Sequence, residues 1–451
     1  MSAIIRWPSH ATVWRWHFYA GLFCIPFVLW LSITGAIYLF RPQVEALIDR
    51  PYARVADGGP RASAAAQVAA AVRGVPGSVL HRYQMPDTEE QAVQVIVGRG
   101  AQEMRVYVHP QTLAVLRTVN EDDRVMRIVF RLHGELLAGT PGSYLVELAA
   151  SWAIVMILTG LVLWWPRGSG AAGVLYPRLR ARGRRFWRDL HGVTGFWVSA
   201  FALFLLASGL PWAKSWGSYL KTVRTVVEGA PVKQDWSGGH AAELRVRAAE
   251  DAGTRAMLAD HAEHGGMTMA HPLTSYAPLD RVVRTVRPLG LASPVLIAPP
   301  TGPGTPWTAK SDSANRPSRT DLTLATDGTL LSRKDFAQRR LVDRLVGWGV
   351  AIHEGQAFGW INQMLNLLTA VGLALLAVSS VVLWWRRKPQ GVLGAPFVGR
   401  IGGATAAVVA IVVVLGVLLP LFGASLIVVL LLEHLVLRRS ASASRWLGLR
   451  V

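Results

Sequence analysis

The chain has 451 residues, 51% of them hydrophobic, with a mean hydropathy of +0.31 and a formal net charge of +19. Charged residues make up only 17% of it, so its basicity is not that of a soluble nucleic-acid-binding domain, and its hydrophobicity excludes disorder. A single cysteine, Cys24, excludes a disulfide framework, a cysteine zinc site, four-cysteine iron–sulfur ligation and c-type haem attachment. Metal chemistry is left to the 12 His, the nine Met and the carboxylates.

In chain order, residues 1–41 end in the apolar run Phe18–Phe40. It is longer than a signal-peptide core, and Phe40-Arg41-Pro42 offers no small-residue cleavage site, so it reads as a membrane span. Residues 42–143 are polar, with a helix expected over Arg61–Arg73, alternating strands at Ala92–Val97 and Met104–Val108, a His109-Pro110 turn and a short strand to Arg117. A second span at 144–165 is followed by a loop at 166–188 carrying seven arginines, Arg167 to Arg188, and a third span at 189–213. Residues 214–360 form a second polar segment. In it the Pro/Gly/Ser-rich stretch Pro299–Pro317 reads as loop, and Asp327-Gly328 turns a hairpin between Asp321–Leu324 and Thr329–Ser332. The fourth span covers 361–385, and the loop 386–400 carries Arg386, Arg387, Lys388 and Arg400. The apolar stretch 401–437 would be about 55 Å long as one helix. With Pro420 and Gly423 inside it, the stretch reads as a helical hairpin, giving six spans and a basic tail at 438–451.

The positive-inside rule places both arginine-rich loops, the tail and the N-terminus in the cytoplasm, and the two polar segments outside as small α+β units. Tryptophans at the span ends (Trp14, Trp16, Trp164, Trp165, Trp212, Trp384, Trp385) match an interfacial belt.

An internal repeat runs through this plan. His133–Arg167 and His353–Arg387 align without a gap at an offset of 220 as His-x5-Gly-x24-Trp-Trp-x-Arg. At an offset of 174, His17, Gly21, Thr34 and Gly35 fall on His191, Gly195, Ser208 and Gly209. Two parallel repeats then supply a four-helix core, and equivalent residues lie at equal depth: His17 with His191 on the cytoplasmic side, His133 with His353 on the outer side. His17 and Gly21 share a helix face, and Gly35 lies five turns further along it; His191, Gly195 and Gly209 repeat the arrangement. Ligands at one level with clearance at Gly21, Gly195, Gly35 and Gly209 suit a flat macrocycle at two heights, and four repeat-related histidines point to haem ligation.

These residues resemble the PepSY-associated transmembrane-helix family, iron-regulated inner-membrane proteins that include siderophore-iron reductases. The resemblance covers most of Trp14–Arg387 and rests on the His…Gly pattern, Leu132-His133, His191-Gly192, Ile352-His353-Glu354-Gly355, both Trp-Trp-x-Arg endings and Val106-Tyr107-Val108-His109-Pro110. The last segment departs from the family strand–turn, with His109 for the usual Asp and Leu113 for the usual Gly. The resemblance implies an α-helical polytopic membrane protein with two external PepSY-like α+β domains. It further implies a bacterial inner-membrane location, multi-pass, with periplasmic polar segments, and two haem b groups held by His17 with His191 and by His133 with His353. The implied activity is reduction of a ferric siderophore in the periplasm for iron release. The cytoplasmic loops are too short for a flavin or nicotinamide domain, so the donor would be a membrane quinol or a separate protein. No residue touching the substrate is identified by the sequence.

Two other readings are set beside this one. A non-catalytic peptide- or peptidase-binding membrane protein would use the histidines only to stabilise the bundle. A transporter would want ionisable residues near the bilayer midplane, whereas Glu147, the one charge in the apolar runs Phe18–Phe40, Tyr144–Trp165, Leu190–Ala213 and Ile361–Trp385, lies toward an outer end. A second metal candidate is His261, His264, Met267, Met269 and His271, a mixed His/Met set suited to a soft cation. His10, His81, His109 and His240 read as surface residues, His434 as interfacial and Cys24 as a packing residue.

Overall fold

The computed structural model describes residues 8–166, 170–229, 239–264, 276–302, 304–395 and 406–449, the stretch 257–264 by its backbone alone. The chain divides into two compact units: Met1–Ile37, Leu132–Gly239 and Met364–Val451 form one, and Tyr38–Arg131 with His240–Gln363 the other.

The first unit is helical and carries the membrane spans. Across both units, the described α-helices in chain order are α1 (His10–Tyr38), α2 (Arg41–Ala53), α3 (Ala64–Gly74), α4 (Val125–Glu135), α5 (Thr140–Trp164), α6 (Gly183–Gly209), α7 (Lys214–Glu228), α8 (Gly239–His264), α9 (Pro278–Val286), α10 (Leu341–His353), α11 (Gly359–Arg387), α12 (Ala406–Leu418), α13 (Pro420–Leu435) and α14 (Ala441–Trp446). Five described helices are long and apolar enough to cross a bilayer: α1, α5, α6 with its extension to Trp212, α11, and α13 with its extension to Arg439. The sixth expected span, α12, has 13 described residues and is shorter. The stretch 396–405 before it lies outside the described residues.

The hairpin breaks at Leu419, one residue before the expected Pro420, which opens α13 because proline lacks the donor that a first helical turn leaves unused. Gly416 and Gly423 let the two helices touch backbone to backbone, and a Cβ on Gly423 would sit 3.0 Å from the Gly416 Cα. Leu158, Val162, Leu368, Val371, Val413 and Val417 are exposed on the bundle, the pattern of helices whose outer surface meets lipid.

The second unit is built on one antiparallel sheet of eight strands in the order β4-β3-β2-β1-β5-β6-β7-β8. The strands are β1 (Val79–Met85), β2 (Val93–Arg99), β3 (Gln102–Val108), β4 (Val115–Asn120), β5 (Val295–Ala298), β6 (Trp307–Ser311), β7 (Thr320–Leu324) and β8 (Leu330–Asp335). The two polar segments therefore do not make separate sheets. They join where β1 pairs β5, with Tyr83, Gln84 and Met85 opposite Ile297, Leu296 and Val295. Strand β6 falls in the stretch expected to be loop.

One face of this sheet is apolar: Leu80, Tyr83, Val93, Val95, Val97, Val106, Val295, Ile297, Ala309 and Leu322 form a single core with α3 and α9. The side chains of period two on the other face of β1–β3 include His81, Gln94, Glu103 and Arg105, all buried. Helix α8 presents Arg247, Glu250 and Asp251 to that face, opposite Glu103, Arg82 and His81.

Candidate functional site

Within the helical unit, α1 and α6 bring His17 and His191 together, with ring centres 6.5 Å apart and ring planes at 81°. Each imidazole is held from behind by the next span in its own repeat. His17 Nδ1 lies 3.0 Å from the Met156 carbonyl and 3.2 Å from Thr159 Oγ1 of α5. Thr159 Oγ1 donates to the Val155 carbonyl at 2.9 Å, so toward His17 it accepts, and the proton sits on Nδ1. His191 Nδ1 lies 3.0 Å from Ser379 Oγ of α11, a hydroxyl that itself donates to the Leu376 carbonyl at 3.1 Å. In both rings Nδ1 is thereby a donor, and Nε2 keeps its lone pair for a metal.

The spacing is also that of a shared metal. A metal–imidazole bond of about 2.0–2.1 Å puts two ring centres in line across one ion roughly 6.3 Å apart. Bis-histidine ligation of one haem thus fits His17 and His191 by ring-centre distance and by the partners that engage Nδ1 on each ring.

Sequence reasoning missed the supporting residues, although the alignment contained them. The 220-residue offset that pairs the Trp-Trp-x-Arg endings also pairs Thr159 with Ser379 and Met156 with Leu376. It missed Gly160 as well. A Cβ there would stand 3.0 Å from His17 Cε1, so the bare backbone lets the ring lie close against α5.

His133 lies in the helical unit, near the end of α4. Its Nδ1 is 3.0 Å from Thr34 Oγ1, which donates to the Trp30 carbonyl at 2.9 Å and so accepts from the ring. Gly35 gives room to this imidazole, because a Cβ there would come 3.1 Å from His133 Cε1. The corner after His133 is tight. Leu136 and Leu137 both take positive φ, 52° and 55°, and a Cβ on Gly142 would overlap the Glu135 carbonyl oxygen. His353 is the last residue of α10 and belongs to the sheet-bearing unit.

The other glycines expected to give clearance are placed as follows. A Cβ on Gly21 would stand 3.8 Å from Met156 Sδ and one on Gly195 3.6 Å from Leu376 Cδ2, both ordinary contacts with flexible side chains, while Gly209 ends α6. Of the His/Met set, His261 and His264 fall at the end of α8, where side chains are not described. Met267, Met269 and His271 lie outside the described residues, as does Arg167.

Glu147 is 1% exposed and has a structural task. Helix α7 starts after Ala213 with no side-chain cap of its own. Glu147 accepts from Ser215 N at 2.8 Å, and Ser143 Oγ accepts from Lys214 N at 3.2 Å. Two residues of α5 thus satisfy the open donors of α7, with the carboxylate at the positive end of the helix dipole.

Two histidines expected at the surface are buried. His109, 9% exposed, accepts from the Gln111 and Thr112 amides through Nδ1, both at 3.3 Å, which is what a turn aspartate would do. Leu113 takes φ of 63° in the position where glycine is usual. The local turn therefore survives both departures.

His81, 3% exposed, is the extra residue of a bulge in β1 and lies across Gly98, where any Cβ would overlap its ring. Its Nδ1 is 2.8 Å from Glu103, and Glu250 completes a group of three donors within 4.8 Å of one another. That space already holds cations. Arg82 bridges Glu103 and Glu250 at 2.7 Å each, and Arg247 reaches Glu103 at 3.0 Å. Burial opposes the charge on Glu103, but His81, Arg82 and Arg247 hold its carboxyl at about 2. The cluster is an ion-pair hub fastening α8 to the sheet, and a metal there would have to displace Arg82.

On the arginine-rich side, Arg178 forms a two-point pair with buried Asp189 at 2.5 and 2.9 Å. Trp164 and Trp384 each donate to a carbonyl in the following loop, of Val174 at 3.1 Å and Leu393 at 2.9 Å. Arg387 lies 4.4 Å over the Trp14 ring. No curated protein matches the chain. The model of one family, described as the PepSY-associated TM region, matches residues 14–387, which takes in the four histidines and both Trp-Trp-x-Arg endings and stops before α12.

Proposed function

The chain belongs to the PepSY-associated TM region family, and on that premise we propose that it is a dihaem b oxidoreductase of the bacterial inner membrane that passes electrons across the bilayer to a ferric siderophore in the periplasm. The observation that carries the reading is the His17–His191 pair, with ring centres 6.5 Å apart and each Nδ1 engaged by a hydroxyl that has a backbone carbonyl to take its own proton. His17 and His191 would hold one haem, and His133 and His353 the other. Haem b with two histidine ligands supplies one-electron transfer without an open position for oxygen.

The rest of the task falls to the chain. Thr159, Met156 and Ser379 fix the imidazole tautomers and ring orientation, and the surrounding spans exclude water. The residues that support the two rings stand 220 apart, and the rings themselves 174 apart. This matches the offsets of the sequence repeat and supports a duplicated unit of parallel repeats. Iron held by hard oxygen ligands is released on reduction because Fe(II) is less charged and softer. The two short basic loops leave the donor outside this chain, as a quinol or a separate protein.

The test is an absorption spectrum of the purified protein, oxidised and dithionite-reduced. Low-spin haem b at two per chain is expected. A colourless preparation from haem-replete cells would leave the family's non-catalytic reading, a membrane-anchored peptide- or peptidase-binding protein.

A further inference from the structure

We propose that α10 is an in-plane helix of the membrane surface, with its Leu341–Leu345–Trp348 stripe immersed in the lipid of the leaflet at which α11 begins its crossing. The three residues are spaced i, i+4, i+7 and share one helix face, and they are 65%, 62% and 39% exposed. Phe358, 59% exposed, extends the patch and stacks on Trp348 with ring centres 5.9 Å apart.

This is not a loosely attached helix. Its opposite side is anchored, with Val350 and Ala351 buried and Gly347 pressed so close to Phe336 that a Cβ would stand 2.6 Å from the ring.

Two observations choose lipid as the occupant. The first is continuity. His353 ends α10 and Gly359 starts the span α11, and six residues reach at most about 20 Å, so the C-terminal end of α10 is tethered close to the point where the chain enters the bilayer. Trp360 and Ile361, at the start of α11, are 71% and 61% exposed and carry the apolar surface onward into the span. The second is composition. Exposed Arg344 borders the stripe, and a helix with Leu and Trp on one face and Arg beside it is the makeup of an interfacial helix, its aromatic ring at headgroup level and its guanidinium toward phosphate. The inference needs only that α11 crosses the membrane. It is independent of haem ligation, though it would fix His353 at the boundary between lipid and water.

The test uses the full-length chain with Cys24→Ser, reconstituted in phosphatidylcholine vesicles containing phosphatidylglycerol. A spin label is placed by Leu345→Cys, separately by Leu341→Cys, and at the exposed hairpin tip by Thr326→Cys. Collision with dissolved oxygen and with an aqueous nickel chelate is then read at each site. Labels at 345 and 341 should meet oxygen several-fold more, and the chelate several-fold less, than the label at 326. Aqueous exposure equal to that at 326 would overturn the proposal. Protection from both reagents would also overturn it, by assigning the face to protein, such as a second copy of this chain.

Discussion

At the scale of single residues, the inner pair makes the sharpest claims. His17→Ala and His191→Ala should each remove the same haem, and His133→Ala and His353→Ala the other, read as loss of half the reduced-minus-oxidised absorbance and as which redox component disappears in a potentiometric titration. Loss of one component in common to His17 and His353 variants would break the depth argument. The hydroxyls behind the rings act through them. Thr159→Val or Ser379→Ala removes an acceptor from a ligand imidazole, so haem retention should fall by about 10-fold and the potential of that haem should rise, because the ligand becomes a poorer electron donor. Ser379→Thr should restore it. The histidine pairing needed no coordinates to be suspected, since the histidines recur at fixed offsets, whereas the hydroxyls behind them recur at the 220-residue offset and went unread. His81 is the counterexample. A lone histidine between a leucine and an arginine gives no hint of burial. Its environment is made by a bulge, by Gly98 and by carboxylates from β3 and α8, and only the folded sheet brings these together.

At the scale of elements, membrane spans were legible because twenty-residue apolar windows have few alternative explanations. The hairpin turn at Asp327-Gly328 was legible because its chemistry is local. Helix α8 was not. It meets the sheet through Arg247, Glu250 and Asp251, so no apolar period marks its inner face, and charge at i, i+4 reads from sequence as a solvated surface. Strand β6 was lost in a stretch rich in Pro and Gly because its partners β5 and β7 supply the order. The ionic attachment of α8 should be visible in acid. Glu103 titrates near 2 in the fold against an ordinary 4.5, so its contribution is complete above about 4.5 and is lost as pH falls toward 2. Glu103→Gln should cost about 2–4 kcal/mol at pH 7 and flatten the acid limb of the unfolding curve, measured on the full-length protein in detergent. The cap on α7 makes a parallel case within the helical unit. Glu147→Ala leaves the Ser215 amide without its acceptor and should cost about 0.5–2 kcal/mol, whereas Glu147→Gln should retain most of it. A proton-coupled role for Glu147 would instead make the Gln variant as impaired in function as the Ala variant.

At the scale of the whole molecule, the +19 charge and the apolar spans are two aspects of one arrangement. The positive charge is concentrated in the loops at 166–188 and 386–400 and in the tail, and it is held in place by pairs such as Arg178–Asp189 and by Arg387 over Trp14. If these loops are cytoplasmic, an alkaline phosphatase fused after Gly328 should be active and one fused after Gly391 inactive. The reverse pattern would invert the proposed direction of electron flow. The joint between β1 and β5 has a further consequence, for how the protein is made. Met85 and Val295 lie about 210 residues apart in the chain, and ribosomes add about 5–20 residues per second. On emerging from the ribosome, β1 must wait roughly 10–40 s for its partner strand, with one row of backbone donors and acceptors unpaired. During that interval the half-sheet is an open template for other chains, so the sequence between the two strands, two membrane crossings included, also acts as a timer. Biogenesis of this protein should therefore depend on a chaperone on the sheet's side of the membrane, one that shields strand edges until the second segment arrives.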